Sequence, residues 1–137
     1  MSKGEPDPET AVPVECTIDG ADFTTIDEFY DEVGKVLVPE FAWGKNLDAF
    51  NDILYGDFGG PDPPYKLIWK NSERSRVALG HAETARYLKG NLQHVSPASK
   101  AWVSDKLKQA ERGLGQTLFD ELVEIIRGHD DIILVLA

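Results

Sequence analysis

Two carboxylates four positions apart, Asp48 and Asp52, are the side chains of this 137-residue sequence best spaced to act together. At about 100° per residue they fall on one side of a helix, one turn apart. Paired carboxylates serve either as a general acid and base or as an anionic surface for a cationic partner. The acid–base role needs a concave, partly desolvated site to lift one pKa, which the outer face of a short helix does not supply. Two surface readings then remain open, a docking face for a basic partner and an ordinary solvated helix face. Folding alone does not ask for the pair, because like charges at i, i+4 cost a helix roughly 0.2–0.5 kcal/mol. The helix dipole favours Asp48 in the first turn, but Asp52 lies beyond it.

Other reactive types do not assemble into a motif. His81, His94 and His129 match no metal-ligand spacing, and Ser72, Ser75 and Ser104 stand in no nucleophile elbow. The glycine- and proline-rich stretch from Tyr55 to Pro64 lacks the following Gly-Lys-Ser/Thr of a phosphate loop. Cys16, the single cysteine, excludes an intramolecular disulfide and a cysteine cage, and it reads as a small buried hydrophobe. The expectation is a protein that is not an enzyme, with no catalytic residues, no cofactor and no metal.

The elements that position the aspartates follow from periodicity. Asn46 is a good N-cap, and Leu47, Phe50, Ile53 and Leu54 form an apolar stripe opposite the acids. Residues 1–13, with three prolines and several acids, read as a flexible acidic tail. Val14–Ile18 alternates as a strand and Asp19-Gly20 turns it. Thr25 and Glu28 match a capping box before a helix with Ile26, Phe29, Tyr30, Val33 and Leu37 inward. Pro39 ends that helix, and Phe41, Ala42, Trp43 and Gly44 lead to the acidic one. Tyr65–Lys70 is the second strand, and Asn71-Ser72 caps a short helix running to Leu79.

Helices are expected from His81 to Leu92 and, after Ser96-Pro97, towards Gly113, the latter suggested by Ala101, Trp102, Val103, Leu107 and Ala110. Gln116-Thr117 opens the last helix, with Leu118, Phe119, Leu122, Val123, Ile125 and Ile126 inside and Asp120, Glu121 and Glu124 outside. Ile132–Leu136 reads as a strand buried on both faces. Strands separated by helices imply an α/β domain of two or three layers with a small, mainly parallel, three-stranded sheet.

Charge narrows the choice of partner. The net charge is −10. Residues 1–65 hold fifteen acids against three lysines, residues 66–115 carry a net +6, and the rest returns to −4. Direct nucleic-acid binding is disfavoured, since phosphate contacts need clustered Lys and Arg, and a basic protein partner is favoured. High acidity also serves solubility alone. No apolar run is long enough to span a bilayer and the polar start has no signal-peptide core, so the expected location is cytoplasmic, without membrane association.

The stretch Gly44-Lys45-Asn46-Leu47-Asp48-Ala49-Phe50-Asn51-Asp52 resembles the acidic helix of the barstar family, intracellular inhibitors of a secreted bacterial ribonuclease. The family pattern Gly-x-Asn-Leu-Asp-Ala-(Leu/Phe)-x-Asp is met at every fixed position. The resemblance covers most of residues 14–137 and implies a barstar-like single domain over that span. Residues from about 80 to 115 would be an inserted helical hairpin relative to barstar. It implies an inhibitor of a basic, barnase-like ribonuclease, monomeric when free; the alternative is an immunity-like or regulatory protein on the same scaffold with a non-ribonuclease basic partner. By resemblance, Asp52 enters the nuclease phosphate pocket, Asp48 pairs with a basic residue beside it, and Glu124 makes a second contact. Phe41 and Trp43 stand where the family places aromatics before the conserved glycine, and both also suit the edge of the core. Asn51 departs from the family, which has a tryptophan between the two aspartates; this implies an altered or weaker target. The family's loop tryptophan is also missing, and the nearest aromatic is Phe58.

Overall fold

The structure is a computed structural model that describes residues 14–40, 42–56 and 61–137. Phe41 and Phe58, and the acidic stretch 1–13, lie outside the described residues. Three strands, β1 (Val14–Asp19), β2 (Tyr65–Lys70) and β3 (Ile132–Leu136), form a sheet in the order β1-β2-β3. Both pairings are parallel, with Val14 opposite Tyr65 and Tyr65 opposite Ile132. Parallel neighbours need crossovers, and helices supply them. Between β1 and β2 run α1 (Ile26–Leu37) and α2 (Leu47–Ile53). Between β2 and β3 run α3 (Ser72–Ala78), α4 (His81–Asn91), α5 (Pro97–Glu111) and α6 (Leu118–Arg127).

The sheet registers one continuous inner face, because side chains alternate along each strand. Cys16, Leu67 and Leu134 line up across it, as do Ile18, Trp69 and Leu136. The other face carries Glu15, Lys66 and Ile133 in one row and Thr17, Ile68 and Val135 in the next, all exposed or half-buried. The domain therefore has two layers. This corrects the expectation for β3, which is an edge strand with Ile133 51% exposed, not a strand buried on both faces. An unbroken apolar run does not distinguish a covered strand from an edge strand with an open face.

Trp69 is the centre of the core. Its ring stacks on Phe29 with centroids 5.3 Å apart, and Phe119 closes on it at 5.1 Å. Its indole Nε1 donates to Ser75 Oγ at 2.9 Å, so the buried polar atom is satisfied. The amphipathic stripes of α1 and α6 fill the remainder, with Ile26, Phe29, Val33, Leu37, Leu118, Leu122 and Ile126 all buried.

Local caps differ from expectation in two places. Thr25 Oγ1 accepts from the Glu28 amide at 3.2 Å, but Glu28 reaches back to the Thr24 amide, at 2.8 Å, instead of that of Thr25. Asn71 is the N-cap of α3 but its side chain does not cap it; with φ at 53° it donates instead to Asp19 Oδ1 at 2.7 Å. That bond, more than any other contact, holds the Asp19 carboxyl below its usual range. The box Thr117–Asp120 on α6 is complete.

α4 and α5 pair as a helical hairpin with its own small core of Leu88, Val103, Leu107 and Ala110. Tyr87 packs against both this cluster and the main one. The hairpin is pinned to the body by polar contacts. Glu83, buried on α4, accepts from the Ile26 amide at 2.9 Å and so serves the open N-terminus of α1. Arg86 grips the same carboxylate through two nitrogens, at 2.7 and 2.6 Å. Thr84 Oγ1 accepts from the Leu118 amide at 2.8 Å. Ala101 and Trp102, on the same helix, are exposed. Val103, Leu107 and Ala110 are the α5 residues that turn into the hairpin core.

Candidate functional site: an acidic helix face and its surroundings

α2 is short, and its local geometry is secured at the entrance. Asn46 Oδ1 accepts from the Ala49 amide at 2.8 Å, as an N-cap does. Lys45 just before it has φ at 51°, a left-handed conformation that costs a non-glycine residue about 1 kcal/mol. Its Nζ lies 2.9 Å from Asp31 Oδ1 on α1, which ties the turn to the body. Phe50, Ile53 and Leu54 are buried under the helix, so its opposite face is turned to solvent.

That face carries Asp48 and Asp52, both exposed and one turn apart. Among the described residues neither has a salt-bridge partner, although Asp31, Glu15, Glu73, Asp27 and Glu83 all do. Two neighbouring carboxylates without a cation of their own make a negative patch whose attraction is available to a second molecule.

Asn51 lies beside them and is half-buried. Its Oδ1 is 2.7 Å from Nε2 of His129, the residue that follows α6 by two positions. Since the amide oxygen only accepts, the imidazole donates. His129 is 6% exposed. Tyr55, just past α2 and 57% exposed, meets the His129 ring edge-on with centroids 4.5 Å apart. Tyr55 and His129 had no role in the sequence reading. The spacing of Tyr55, three residues past Asp52 on the same helical side, was a usable signal; nothing local marks His129.

The other candidates, Trp43 and Glu124, make contacts of their own. Trp43 is half-buried; its ring packs edge-on against Tyr30 with centroids 5.5 Å apart. A Cβ at Gly34 would meet Trp43 Nε1 at 2.9 Å, so glycine on α1 makes room for the indole. Among the described residues neither Trp43 Nε1 nor the Tyr30 hydroxyl has a hydrogen-bond partner, and burial pushes the Tyr30 phenol well above its usual range. Glu124 is exposed on α6, where Gln116 Nε2 donates to its Oε2 at 2.7 Å. It borders a groove formed with Arg76, Phe119, Asp120, Arg127 and Leu136.

Glu121, one turn earlier on α6 and expected outside, is half-buried instead. Burial raises its pKa, the Lys106 cation offsets part of this, and Glu124 adds to it. Tyr87 is raised chiefly by burial, and the charges of Glu121 and Asp48 push it further. Among the described residues no three His, Cys, Asp or Glu side chains converge as a metal cage would require. No described helix is long and apolar enough to cross a membrane.

Comparison with known proteins bears on this arrangement. Residues 14–125 match the family described as Barstar (barnase inhibitor). Over 64 residues the chain is 41% identical to a protein of Bacillus subtilis (strain 168) named "Putative ribonuclease inhibitor YrdF". The matched stretch spans 46% of this chain and 66% of that relative, just short of two thirds of its length.

Proposed function

The chain belongs to the barstar family, and on that premise we propose that it is an intracellular inhibitor of a bacterial ribonuclease. It acts by setting the Asp48 and Asp52 carboxylates into the cationic site that the enzyme uses for phosphate. Nuclease sites hold Arg, Lys and His arranged to bind phosphate oxygens, and carboxylates on a rigid helix satisfy the same donors without offering a bond to cut. The observation that carries this reading is the exposed Asp48–Asp52 pair, which has no intramolecular cation among the described residues. The buried stripe beneath it and the Asn46 cap support a preorganised face, which binds at lower entropic cost.

The test is to titrate the protein into a barnase-type ribonuclease and follow RNA cleavage at low and moderate salt, with Asp52→Ala alongside. Stoichiometric inhibition that weakens with salt and is lost in the variant supports the proposal. Inhibition unaltered in Asp52→Ala overturns it.

One observation favours a second reading, a basic partner that is not a ribonuclease. Where the family has a tryptophan between the aspartates, this chain has Asn51 with its amide engaged by His129, so α2 offers no projecting ring there. Capture of a non-nuclease basic protein by the wild-type chain, lost in Asp52→Ala, would favour that reading.

A further inference from the structure

We propose that Tyr55 is the specificity-determining aromatic of the acidic face: its ring and the Asp52 carboxylate together receive one arginine of the basic ribonuclease, the carboxylate taking the guanidinium edge and the ring its plane. This rests on the inhibitory role proposed for α2. Protein interfaces draw their strongest contacts from Trp, Tyr and Arg, and α2 carries no aromatic between Asn51 and Asp52 or just before Asn51 that is exposed. The end of the same helix supplies one. The Tyr55 amide donates to the Asp52 carbonyl at 3.1 Å, and Leu54 between them keeps a helical φ of −67° and ψ of −21°. The helix therefore closes on a tightened i→i+3 turn, in which residues three apart lie one above the other. Asp48, Asp52 and Tyr55 thus follow one stripe along the outer side of α2.

The Tyr55 ring is both accessible and held. It is 57% exposed, yet it meets the His129 imidazole edge-on with centroids 4.5 Å apart. His129 is itself 6% exposed and donates to Asn51 Oδ1 at 2.7 Å. One buried imidazole therefore steadies the residues on both sides of Asp52, Asn51 before it and Tyr55 after it. A braced ring loses less freedom when a partner covers it, so His129 is a positioning residue for this contact. The chemistry of the stripe selects the occupant. Asp48 and Asp52 have no salt-bridge partner among the described residues, so the cation comes from the second molecule. A guanidinium is planar, offers a fork that matches a carboxylate and stacks on aromatic faces, whereas an ammonium is a strongly hydrated point charge. An arginine uses the carboxylate and the ring at once, and a lysine gains less from the ring.

The experiment measures inhibition of a barnase-type ribonuclease by the full chain and its Tyr55→Ala, Tyr55→Leu, Tyr55→Phe, Asp52→Ala and Asp52→Ala/Tyr55→Ala variants, each beside a thermal melt. Tyr55→Leu keeps a side chain over His129 and removes the aromatic face. Tyr55→Ala and Tyr55→Leu are expected to weaken inhibition about 10-fold, and Tyr55→Phe to stay within about threefold of wild type. In the double variant the loss should be smaller than the product of the single losses, because both groups hold the same arginine. Among ribonuclease variants with single active-site arginines changed to lysine, one should abolish the difference between wild type and Tyr55→Leu; none doing so overturns the assignment. If Asp52→Ala loses inhibition and Tyr55→Leu stays within about twofold of wild type, the acidic helix keeps its role and this inference is overturned. It is equally overturned if Tyr55→Phe falls as far as Tyr55→Leu, since the ring face is then not the contact. Absence of inhibition by the wild-type chain removes the inhibitory role and this inference together.

Discussion

Asn51 Oδ1 and His129 Nε2 stand 2.7 Å apart although 78 residues separate them in the chain. The contact fastens the outer flank of α2 to the segment that leads from α6 into β3. It also explains where the Asn51 side chain goes, inward to a buried imidazole and away from the position a projecting ring would take. His129→Ala removes a buried ring and leaves the Asn51 oxygen without its donor. A loss of about 2 kcal/mol in denaturant-derived stability is expected. Asn51→Ala should cost less, about 1 kcal/mol.

Asp48 and Asp52 are exposed and unpaired among the described residues, so their removal should leave the fold alone. Asp48→Ala and Asp52→Ala are each expected to change stability by no more than ~0.5 kcal/mol. Asp52→Ala should nonetheless weaken binding to a basic ribonuclease by at least ~2 kcal/mol, because it strands the partner's cations. Calorimetric titration beside thermal melts separates the two effects, and a binding loss under about threefold would sink the assignment.

Glu83 joins the hairpin to the body by accepting from Ile26 N and from Arg86. Glu83→Ala strands the first amide of α1 and frees the guanidinium at once. Roughly 2–4 kcal/mol should be lost in equilibrium unfolding. Arg86 is half-exposed, and Arg86→Ala should cost less than Glu83→Ala.

Glu121 has its folded-state pKa raised, chiefly by burial. Below the unfolded-state pKa both forms are protonated and the group is neutral to stability. As pH rises from there through the raised folded value, the unfolded state ionises more readily and stability falls. Glu121→Gln should therefore melt higher than wild type near pH 7, with the gap closing below about pH 4. Equal melting temperatures at both pH values would contradict the burial of this carboxyl.

What could be read from the sequence was what depends on neighbouring residues. The Asn46 cap, the stripe Phe50–Ile53–Leu54 and the outward pair Asp48–Asp52 are local consequences of helical periodicity, and the structure has them as expected. The order of strands and helices likewise implied parallel pairing, and the sheet is parallel throughout. The differences arise where the outcome depends on distant packing. Whether Ile133 is covered depends on which strand takes the sheet edge. Glu121 is half-buried because the hairpin lies over it, and His129 becomes a partner of α2 only once α6 docks.

Because His129, in the segment before β3, completes the support of α2, the acidic face is assembled late in synthesis. The codon for His129 lies 78 residues downstream of that for Asn51. At roughly 5–20 residues per second, a ribosome needs about 4–16 s to travel between them. For that interval the carboxylates exist in a nascent chain whose helix has yet to receive its clasp.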